Sequence, residues 1–357
     1  MRFLFALFIV ILFSKESLAG INHTDSTFYP AGNSAIQMIG RVDFSRQDQP
    51  RFWAPGVYIN IRFKGTYCIL DISDEVRWGT NHNYIEVKVD NNAPYRIRLN
   101  NSTNRILLAE NLQEGVHHIA ICKNTEADIG YLQLNGVICK QLLSPPKKPK
   151  RKIEFIGNSI TCGSGNDESV IACNTGEWYD QHNAYMAYGP LTARTLNAQW
   201  QLSSVSGIGL MHSCCNKEKV MPQVFDKVNM SGDTIPWNFR NYQADLVTVC
   251  LGQNDGIQDS AIFCKTYIGF LEKLRSYYPR ARFILLSSPM ADKNLDSVLR
   301  KYISAVRIAL QRRNERKVSS YFFSKRYHKG CDAHPNLDEH REMAGELSAF
   351  IRKTMNW

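Results

Sequence analysis

The chain has 357 residues, of which 44% are hydrophobic and 21% are charged, a composition that excludes a disordered, collagen-like or many-spanning membrane protein. At about 150 residues per domain, this length predicts two domains. Lys and Arg number 43 against 33 Asp and Glu, and the resulting net charge of +10 leaves an anionic partner, such as nucleic acid or a membrane surface, to be considered.

The N-terminus has the pattern of a secretory signal peptide. The apolar run 3–13 follows Met1-Arg2, and small residues stand three and one before a cleavage point after Ala19. A bilayer span needs roughly 20 apolar residues, so this run is too short for a membrane anchor. We therefore predict a signal peptide at 1–19, a secreted or periplasmic mature chain, and no stable membrane insertion.

The ten cysteines gain a meaning once export is predicted, because oxidising compartments permit disulfides. Cys162 and Cys173 form the best candidate pair, since their bridge would close a short loop, although spacing alone does not fix the connectivity. Cys250 lies in the apolar run 246–251, which predicts a buried free thiol. No Cys or His spacing is of the zinc type, so we expect no metal ion.

Residues 20–143 consist of short alternating runs separated by turns. The runs are 57–63, 67–72, 84–90 and 129–134. Their period of two residues, with turn signals such as Asn135-Gly136 between them, predicts several short strands in an antiparallel β-sandwich. No run in this segment has the spacing of a long helix.

Residues 144–152 break this pattern with prolines and positive charge. Five of the six residues in 147–152 are basic, a composition typical of a stiff, solvated linker. The segment resembles a nuclear localisation signal only superficially, since an exported chain could not use one. We therefore expect no nucleic-acid partner.

Residues 153–357 have a different pattern, in which strands alternate with helices. The short apolar runs typical of buried strands are 153–156, 200–205, 245–251 and 282–286. Helical spacing is present in 295–310 and again in 337–351. Alternation of this kind predicts an α/β/α domain, with a parallel sheet covered by helices on both faces.

Polar residues follow the ends of these strands, where the ligand sites of parallel sheets gather. Ser159 stands in the turn after the first strand, and the glycine-containing block 206–210 follows the second. Asn254 follows the third strand, and His334 precedes the last helix with Asp332 two residues before it. Each alone is typical of an ordinary turn or cap, but the order Ser, Gly, Asn, His favours nucleophilic catalysis.

These four blocks resemble those of the SGNH (GDSL-type) hydrolase superfamily. The whole chain after the signal peptide is similar to carbohydrate esterase family 2, whose members join an N-terminal jelly-roll β-sandwich to a C-terminal SGNH hydrolase domain. The segments that carry the resemblance are 40–43, 53–66, 157–163, 206–210 and 332–336. The resemblance implies a β-sandwich domain at 20–143, the linker at 144–152, and the hydrolase domain at 153–357.

The resemblance also implies a role for each site residue. Ser159 would be the nucleophile, His334 the general base and later the general acid, and Asp332 the orienting carboxylate. The backbone N–H groups of Ser159 and Gly207, with the Asn254 side chain, would form the oxyanion hole. These residues imply ester hydrolysis without a metal or an organic cofactor.

Several points stay open at this stage. Gly209 competes with Gly207 as the oxyanion donor, because the sequence does not fix which N–H points inward. Asn158 stands where the superfamily more often has Asp, and Ala333 stands where some relatives have an aromatic residue that helps to bind sugar. Aromatic residues after Cys173 are candidates to replace that contact, or are simply packing residues. We select Trp178 and Tyr185 from the set Trp178, Tyr179, Tyr185 and Tyr188.

The expected function is that of a secreted serine esterase, similar to acetyl xylan esterases, that removes O-acetyl groups from a polysaccharide or oligosaccharide. One alternative is a lipase-like or arylesterase activity on other acyl esters. Another is a non-catalytic protein that binds glycans through the β-sandwich and aromatic loops. The net positive charge would favour acidic glycans. The sequence leaves the sugar, the acetylated hydroxyl and the oligomeric state undetermined.

Overall fold

The computed structural model describes residues 25–232 and 234–357, so the predicted signal peptide lies outside the described residues. The described chain forms an antiparallel sheet in its N-terminal region and a parallel sheet in its C-terminal region. None of the helices in these ranges combines the length and the apolar composition needed to cross a bilayer.

The N-terminal region is a nine-stranded antiparallel sheet. Its strands are β1 (Thr27–Pro30), β2 (Gln37–Ile39), β3 (Arg51–Phe52), β4 (Tyr58–Asp74), β5 (Tyr84–Val89), β6 (Tyr95–Arg98), β7 (Thr103–Ala109), β8 (Val116–Lys123) and β9 (Leu132–Leu143). The first half of β4 pairs with β8 and its second half with β7, and the β4–β9 pairing shifts register between Lys64 and Cys68. Gly65 lies at this shift with φ of 135°, a conformation that favours glycine.

The C-terminal region is a five-stranded parallel sheet with the order β11-β10-β12-β13-β14. The strands are β10 (Arg151–Gly157), β11 (Ala198–Ser204), β12 (Leu246–Cys250), β13 (Arg282–Leu286) and β14 (Val318–Tyr321). The helices are α1 (Ser159–Cys162), α2 (Tyr188–Thr195), α3 (Met221–Val224), α4 (Ser260–Tyr277), α5 (Lys293–Arg312) and α6 (Leu337–Met355). Helices α2 and α6 pack on each other, as do α4 and α5. This strand order puts a topological switch point beside β10, where crevices form at strand ends.

A buried ion pair joins the two regions. The Arg41 guanidinium lies 3.0 Å from the Glu154 carboxylate on β10, and both side chains are fully buried. The Arg41 Nη1 also donates to the main-chain carbonyls of Phe225 and Lys227, so both terminal nitrogens of the guanidinium are hydrogen-bonded. Nearby, the rings of Tyr58 and Trp200 stack with centroids 3.8 Å apart. The apolar core of the C-terminal region therefore continues into the N-terminal region.

The predicted fold class is confirmed, with differences in detail. The runs 57–63 and 67–72 are parts of one long strand, β4, because the chain bends at Gly65 without leaving the sheet. Ile129 ends a short 3-10 turn (Ala127–Ile129) instead of beginning a strand. The sequence patterns missed β14, whose four residues are too few to show a period.

The segment predicted as a solvated linker, 144–152, contacts both regions. Gln37 donates to the Pro146 carbonyl at 3.0 Å, and Gln199 donates to the Pro149 carbonyl at 2.6 Å. Strand β10 begins at Arg151, so the basic run enters the parallel sheet directly. The domain limits stay a prediction.

The predicted bridge between Cys162 and Cys173 is wrong. Cys173 is bonded to Cys331 instead, across 158 residues of sequence. Cys162 is a buried free thiol on α1, facing the core and 3.2 Å from the Ser204 hydroxyl. A second bridge joins the adjacent residues Cys214 and Cys215. Cys250 is a buried free thiol, as its apolar surroundings predicted.

Candidate active site

The turn after β10 presents Ser159 to a cavity. Gly157 ends the strand, and a Cβ there would lie 2.0 Å from the Thr161 hydroxyl, so the turn admits no side chain at this position. The Asn158 side chain accepts a hydrogen bond from the Ile160 N–H and caps α1, which begins at Ser159. Ser159 is therefore held at the carboxyl end of a central strand, and the residue is 9% exposed.

His334 lies against this serine. Its Nε2 atom is 2.8 Å from the Ser159 hydroxyl oxygen, although the two residues are 175 positions apart. Its Nδ1 atom is 3.2 Å from the main-chain carbonyl of Cys331. Because a carbonyl only accepts hydrogen bonds, Nδ1 carries the proton and Nε2 is left as the acceptor for the serine hydroxyl.

The expectation that the Asp332 carboxylate orients this ring through a hydrogen bond is not met. Among the described residues, the Nδ1 contact is made by the Cys331 carbonyl. The reason is the 3-10 turn Cys331–Ala333, in which Asp332 and Ala333 have φ of 51° and 55°. This left-handed conformation, rare outside glycine and costly for Ala, turns the Cys331 carbonyl toward the ring.

Burial sets the protonation of His334. Removal from water lowers the pKa of His334 below its usual value, while the hydrogen bond to the Cys331 carbonyl and the nearby Asp332 charge oppose that shift. The imidazole is therefore neutral at neutral pH. A neutral ring with a free Nε2 lone pair can accept a proton from a hydroxyl.

Two backbone N–H groups near the serine are unused. Neither Ser159 nor Gly207 donates its N–H to an acceptor within the described part of the chain. The Gly209 N–H, by contrast, donates to the Ser213 hydroxyl at 3.0 Å. Of the two competing glycines, Gly207 is therefore the one whose N–H is available, and it is also the one that lines the cavity.

Asn254 and Asp255 follow β12. The Asn254 amide donates one hydrogen to the Ile208 carbonyl at 2.8 Å and keeps a second, since a primary amide has two. The Asp255 carboxylate accepts from the N–H groups of three successive residues, Leu210, Met211 and His212. Asp255 thus secures the loop after β11. The sequence patterns assigned it only to a turn, and its position beside Asn254 was the available signal.

These groups line one cavity of about 410 Å³. Ser159, His334, Gly207 and Asn254 meet there, at the carboxyl ends of β10, β11 and β12 and before α6. Lys217 and Asp128 form an ion pair on its wall, so each region of the protein contributes one charge. A serine, a neutral histidine and unused donors around one cavity are the parts of a nucleophilic hydrolase site.

The aromatic candidates divide between this cavity and the packed interior. Trp178 is 50% exposed and lines the cavity. Tyr185 does not line this cavity: it is buried, with the Arg194 guanidinium 3.8 Å from its ring centre, and it borders a separate cavity, so its role as a substrate contact stays a prediction. Tyr179 and Tyr188 are also buried. Tyr185 lies on the turn before the short helix α2, and Tyr188 begins that helix.

The cysteine bridges border the site. The Cys173–Cys331 bridge ties the loop that carries Trp178 to the turn that contacts His334. The Cys214–Cys215 bridge lines the cavity, with the Cys214 sulfur 3.6 Å from the Asn254 side-chain oxygen. Glu168 lies close to Cys173 and Cys331, but sulfurs joined in a disulfide are not thiolate metal ligands.

Comparison with known proteins agrees with this geometry. The Carbohydrate esterase 2 N-terminal family matches residues 38–146, and the GDSL-like Lipase/Acylhydrolase family matches residues 155–339. An acetylxylan esterase / glucomannan deacetylase of Cellvibrio japonicus is 29% identical over 364 residues, covering 98% of both chains. The cellulase/esterase CelE of Acetivibrio thermocellus is 30% identical over 93% of this chain, which spans 41% of that larger protein.

Solved structures of family two carbohydrate esterases superpose on this chain. A family two carbohydrate esterase from Cellvibrio japonicus superposes with a TM-score of 0.84 at 28% identity, covering 93% of this chain and 98% of that one. A family two carbohydrate esterase from Clostridium thermocellum, in complex with cellohexaose, superposes with a TM-score of 0.83 at 30% identity, covering 90% and 99%. The fold and the matched families define a GDSL-like acylhydrolase with an appended antiparallel region. The chain belongs to carbohydrate esterase family 2 and is an ester hydrolase.

Proposed function

We propose that this esterase removes O-acetyl groups from a polysaccharide or oligosaccharide through a Ser159–His334 pair. The observation that carries the proposal is the 2.8 Å contact between the Ser159 hydroxyl and His334 Nε2 in a cavity with unused hydrogen-bond donors. The names of the acetylxylan esterase relatives support acetate as the acyl group and a sugar as the alcohol.

The reaction begins when the Ser159 oxygen attacks the acetyl carbonyl carbon and its proton passes to His334 Nε2. The carbonyl oxygen becomes negatively charged and accepts hydrogen bonds from the Ser159 and Gly207 N–H groups and from the Asn254 amide. His334 then returns the proton to the departing sugar oxygen, which leaves acetyl-Ser159. Water deprotonated by His334 attacks this ester, and acetate departs as the serine is regenerated.

In this proposal the Cys331 carbonyl takes the place usually held by a carboxylate. It keeps the proton on Nδ1 and stabilises the imidazolium while the tetrahedral intermediate exists. Asp332 contributes its carboxylate charge, which raises the pKa of His334, while the Nδ1 proton is donated to the Cys331 carbonyl. Trp178 offers an exposed indole face at the cavity for the sugar ring.

We also propose that the mature chain is secreted or periplasmic. The two cysteine bridges support this location, because disulfides persist in oxidising compartments. Residues 1–19 have the composition of the leader that export would require.

The test is acetate release from a panel of acetylated polysaccharides, including xylan and mannan, by wild type and Ser159→Ala. The variant should be folded and inactive, whereas Ser276→Ala on α4, remote from the cavity, should retain full turnover. A Ser159→Ala protein with unchanged turnover would contradict the mechanism. Binding without acetate release, or faster hydrolysis of octanoyl than acetyl esters, would contradict the substrate.

A further inference from the structure

One buried carboxylate reaches the cavity wall from the other region of the protein. Glu126 follows β8 in the N-terminal region and is fully buried. Its Oε2 atom accepts the Ser206 N–H at 2.7 Å, and its Oε1 atom accepts the Ser206 hydroxyl. Ser206 lies 80 residues away in sequence, in the loop that follows β11. The side chain therefore accepts hydrogen bonds from both donors of Ser206, its N–H and its hydroxyl.

A carboxylate buried at this point needs a reason, because burial of such a group is costly unless it is fully hydrogen-bonded. The Ser164 hydroxyl lies 3.4 Å from Oε1, and His182 Nδ1 lies 3.6 Å from the same atom. Burial raises the pKa of Glu126, and the nearby Asp128 charge raises it further. In either protonation state, Oε2 can accept the Ser206 N–H, so the contact persists.

Ser206 is the residue directly before Gly207. Gly207 has φ of 77°, so the chain turns sharply after the held residue. On the far side of this turn, the Cys214 N–H donates to the Gly207 carbonyl at 2.9 Å. The peptide that carries the Gly207 N–H is thus fixed at one end by Glu126 and at the other by the 214 loop.

Ser164 connects Ser206 to the turn that carries Ser159. The Ser164 and Ser206 hydroxyls lie 2.9 Å apart, and the Ser164 N–H donates to the Ser159 carbonyl at 3.0 Å. Glu126, Ser164 and Ser206 therefore form one cluster between the two turns that bear the unused N–H groups. Movement of either turn would break a hydrogen bond of a buried group.

We propose that Glu126 is a positioning residue for ester hydrolysis: it fixes the Ser206–Gly207 peptide from the N-terminal region, so that the Gly207 N–H faces the oxygen of the reacting ester. This inference rests on the proposed role of Gly207 in the oxyanion hole. On this view the antiparallel region is part of the catalytic apparatus, because the oxyanion donors are aligned only when it is docked.

The test compares two substitutions of Glu126 with the wild type, and steady-state hydrolysis of 4-nitrophenyl acetate is the assay. Glu126→Leu keeps most of the side-chain volume but offers no acceptor, and we expect kcat to fall about 10- to 100-fold with KM within about threefold. Glu126→Gln keeps one oxygen for the Ser206 N–H and should recover part of this loss. Binding of an alkylboronic acid, which forms a tetrahedral adduct with the serine, should weaken by the same factor as kcat falls.

Asp43 provides the matched control. It is a buried carboxylate of the same region that accepts from the Ser45 N–H and the Arg51 guanidinium and makes no contact with Ser206. Asp43→Leu and Asp43→Asn should lower the melting temperature but leave kcat per folded molecule within about twofold. A purely structural role of Glu126 would give this same pattern and would overturn the proposal.

A smaller change guards against loss of folding. Ser206→Ala removes one of the two groups that Glu126 holds and should lower kcat about threefold to tenfold. In the Ser206→Ala background, Glu126→Gln should lower kcat by a smaller factor than it does in the wild type. If Glu126→Leu does not fold, the double-mutant cycle of Ser206→Ala and Glu126→Gln decides the question. Full additivity of their effects on kcat would overturn the inference. Wild type that cleaves 4-nitrophenyl acetate but releases no acetate from glycans would contradict only the proposed substrate.

Discussion

The two regions contribute to the cavity in different ways. All the groups proposed to touch the reacting ester, namely Ser159, His334, Gly207 and Asn254, belong to the parallel region and follow its strands. The antiparallel region contributes Asp128 at the wall and Glu126 beneath it. On the proposed mechanism, strand ends therefore provide the reactive groups, and contacts from a separate sheet align them.

The loop after α1 illustrates the same division. Arg96, on β6, donates to the main-chain carbonyls of Asp180 and His182, and the Asn183 amide donates to Glu86 on β5. Trp178 is therefore carried by the parallel region but held in place by the antiparallel one. Four predictions test this division of roles, in order of decreasing energetic effect.

The largest effect should come from the joint between the regions. Arg41→Met leaves the buried Glu154 charge without its partner, so we expect the free energy of unfolding to fall by about 3–5 kcal/mol in urea denaturation. Arg313→Met, which breaks an exposed pair with Glu272, should cost about 0–1 kcal/mol. Equal costs for the two variants would contradict the view that the regions depend on each other for stability.

The second effect concerns a group of the parallel region. Asn254→Ala removes a proposed oxyanion donor, and we expect kcat for acetyl esters to fall about 100- to 1,000-fold, or about 2.7–4 kcal/mol, without loss of fold. The exposed Asn241→Ala on the same region serves as the control. A loss confined to KM would show that Asn254 binds substrate and does not stabilise the transition state.

The third effect separates the sugar from the ester. Trp178→Ala should raise KM for an acetylated oligosaccharide about 2- to 12-fold, from the roughly 0.5–1.5 kcal/mol of an aromatic contact, and leave 4-nitrophenyl acetate hydrolysis unchanged. Trp78, which is 77% exposed and does not line the cavity, gives the matched Trp78→Ala control. Equal effects on both substrates would assign Trp178 to the support of the loop.

The smallest effect on rate should come from Asp332. Because the Cys331 carbonyl contacts Nδ1, Asp332→Asn should lower kcat no more than about threefold, whereas loss of an orienting triad carboxylate costs about 10,000-fold. Asp338→Asn, at an exposed position, is the control. A loss near the larger value would restore Asp332 to the role implied by the family resemblance.

The same variant has a defined pH signature. The proposed mechanism needs neutral His334, so we expect activity to be lost as pH falls through the pKa of His334, which burial holds below its usual value of about 6.5. The Asp332 charge raises the pKa of His334, so its removal lowers that pKa further. The acid limb of kcat/KM should therefore move to lower pH, and a shift to higher pH would contradict this assignment.

Local patterns predicted much of the fold. Alternation within β4 and β5, and the apolar runs of β10 to β13, follow from burial of one or both faces of a strand, which leaves a period in the sequence. Asn336 and Glu339 form a capping box at the start of α6, so this helix end is also fixed by residues close in sequence. The bend that unites two runs into β4 left no such period, because it depends on strand pairing.

The site was predicted less evenly. Ser159, Asn254 and His334 stand at strand or helix ends, and parallel strands bring such ends to one edge of the sheet, so their meeting followed from chain order. Gly207 could not be separated from Gly209 until the bond from Gly209 to Ser213 showed which N–H was occupied. Trp178 and Tyr185 could not be separated either, because the sequence does not show which aromatic side chain faces the cavity that holds Ser159.

The sequence by itself determined the fold class, the order of the four reactive positions and the resemblance to family 2, because each depends on local periodicity or short motifs. Only the tertiary structure decided the partner of Cys173, the group at His334 Nδ1 and the contact from Glu126 to Ser206. The physical reason is that the Cys173 and Glu126 contacts join segments 158 and 80 residues apart, while the His334 contact depends on a left-handed turn. The identity of a side chain fixes neither its contacts with distant segments nor the backbone conformation of a turn.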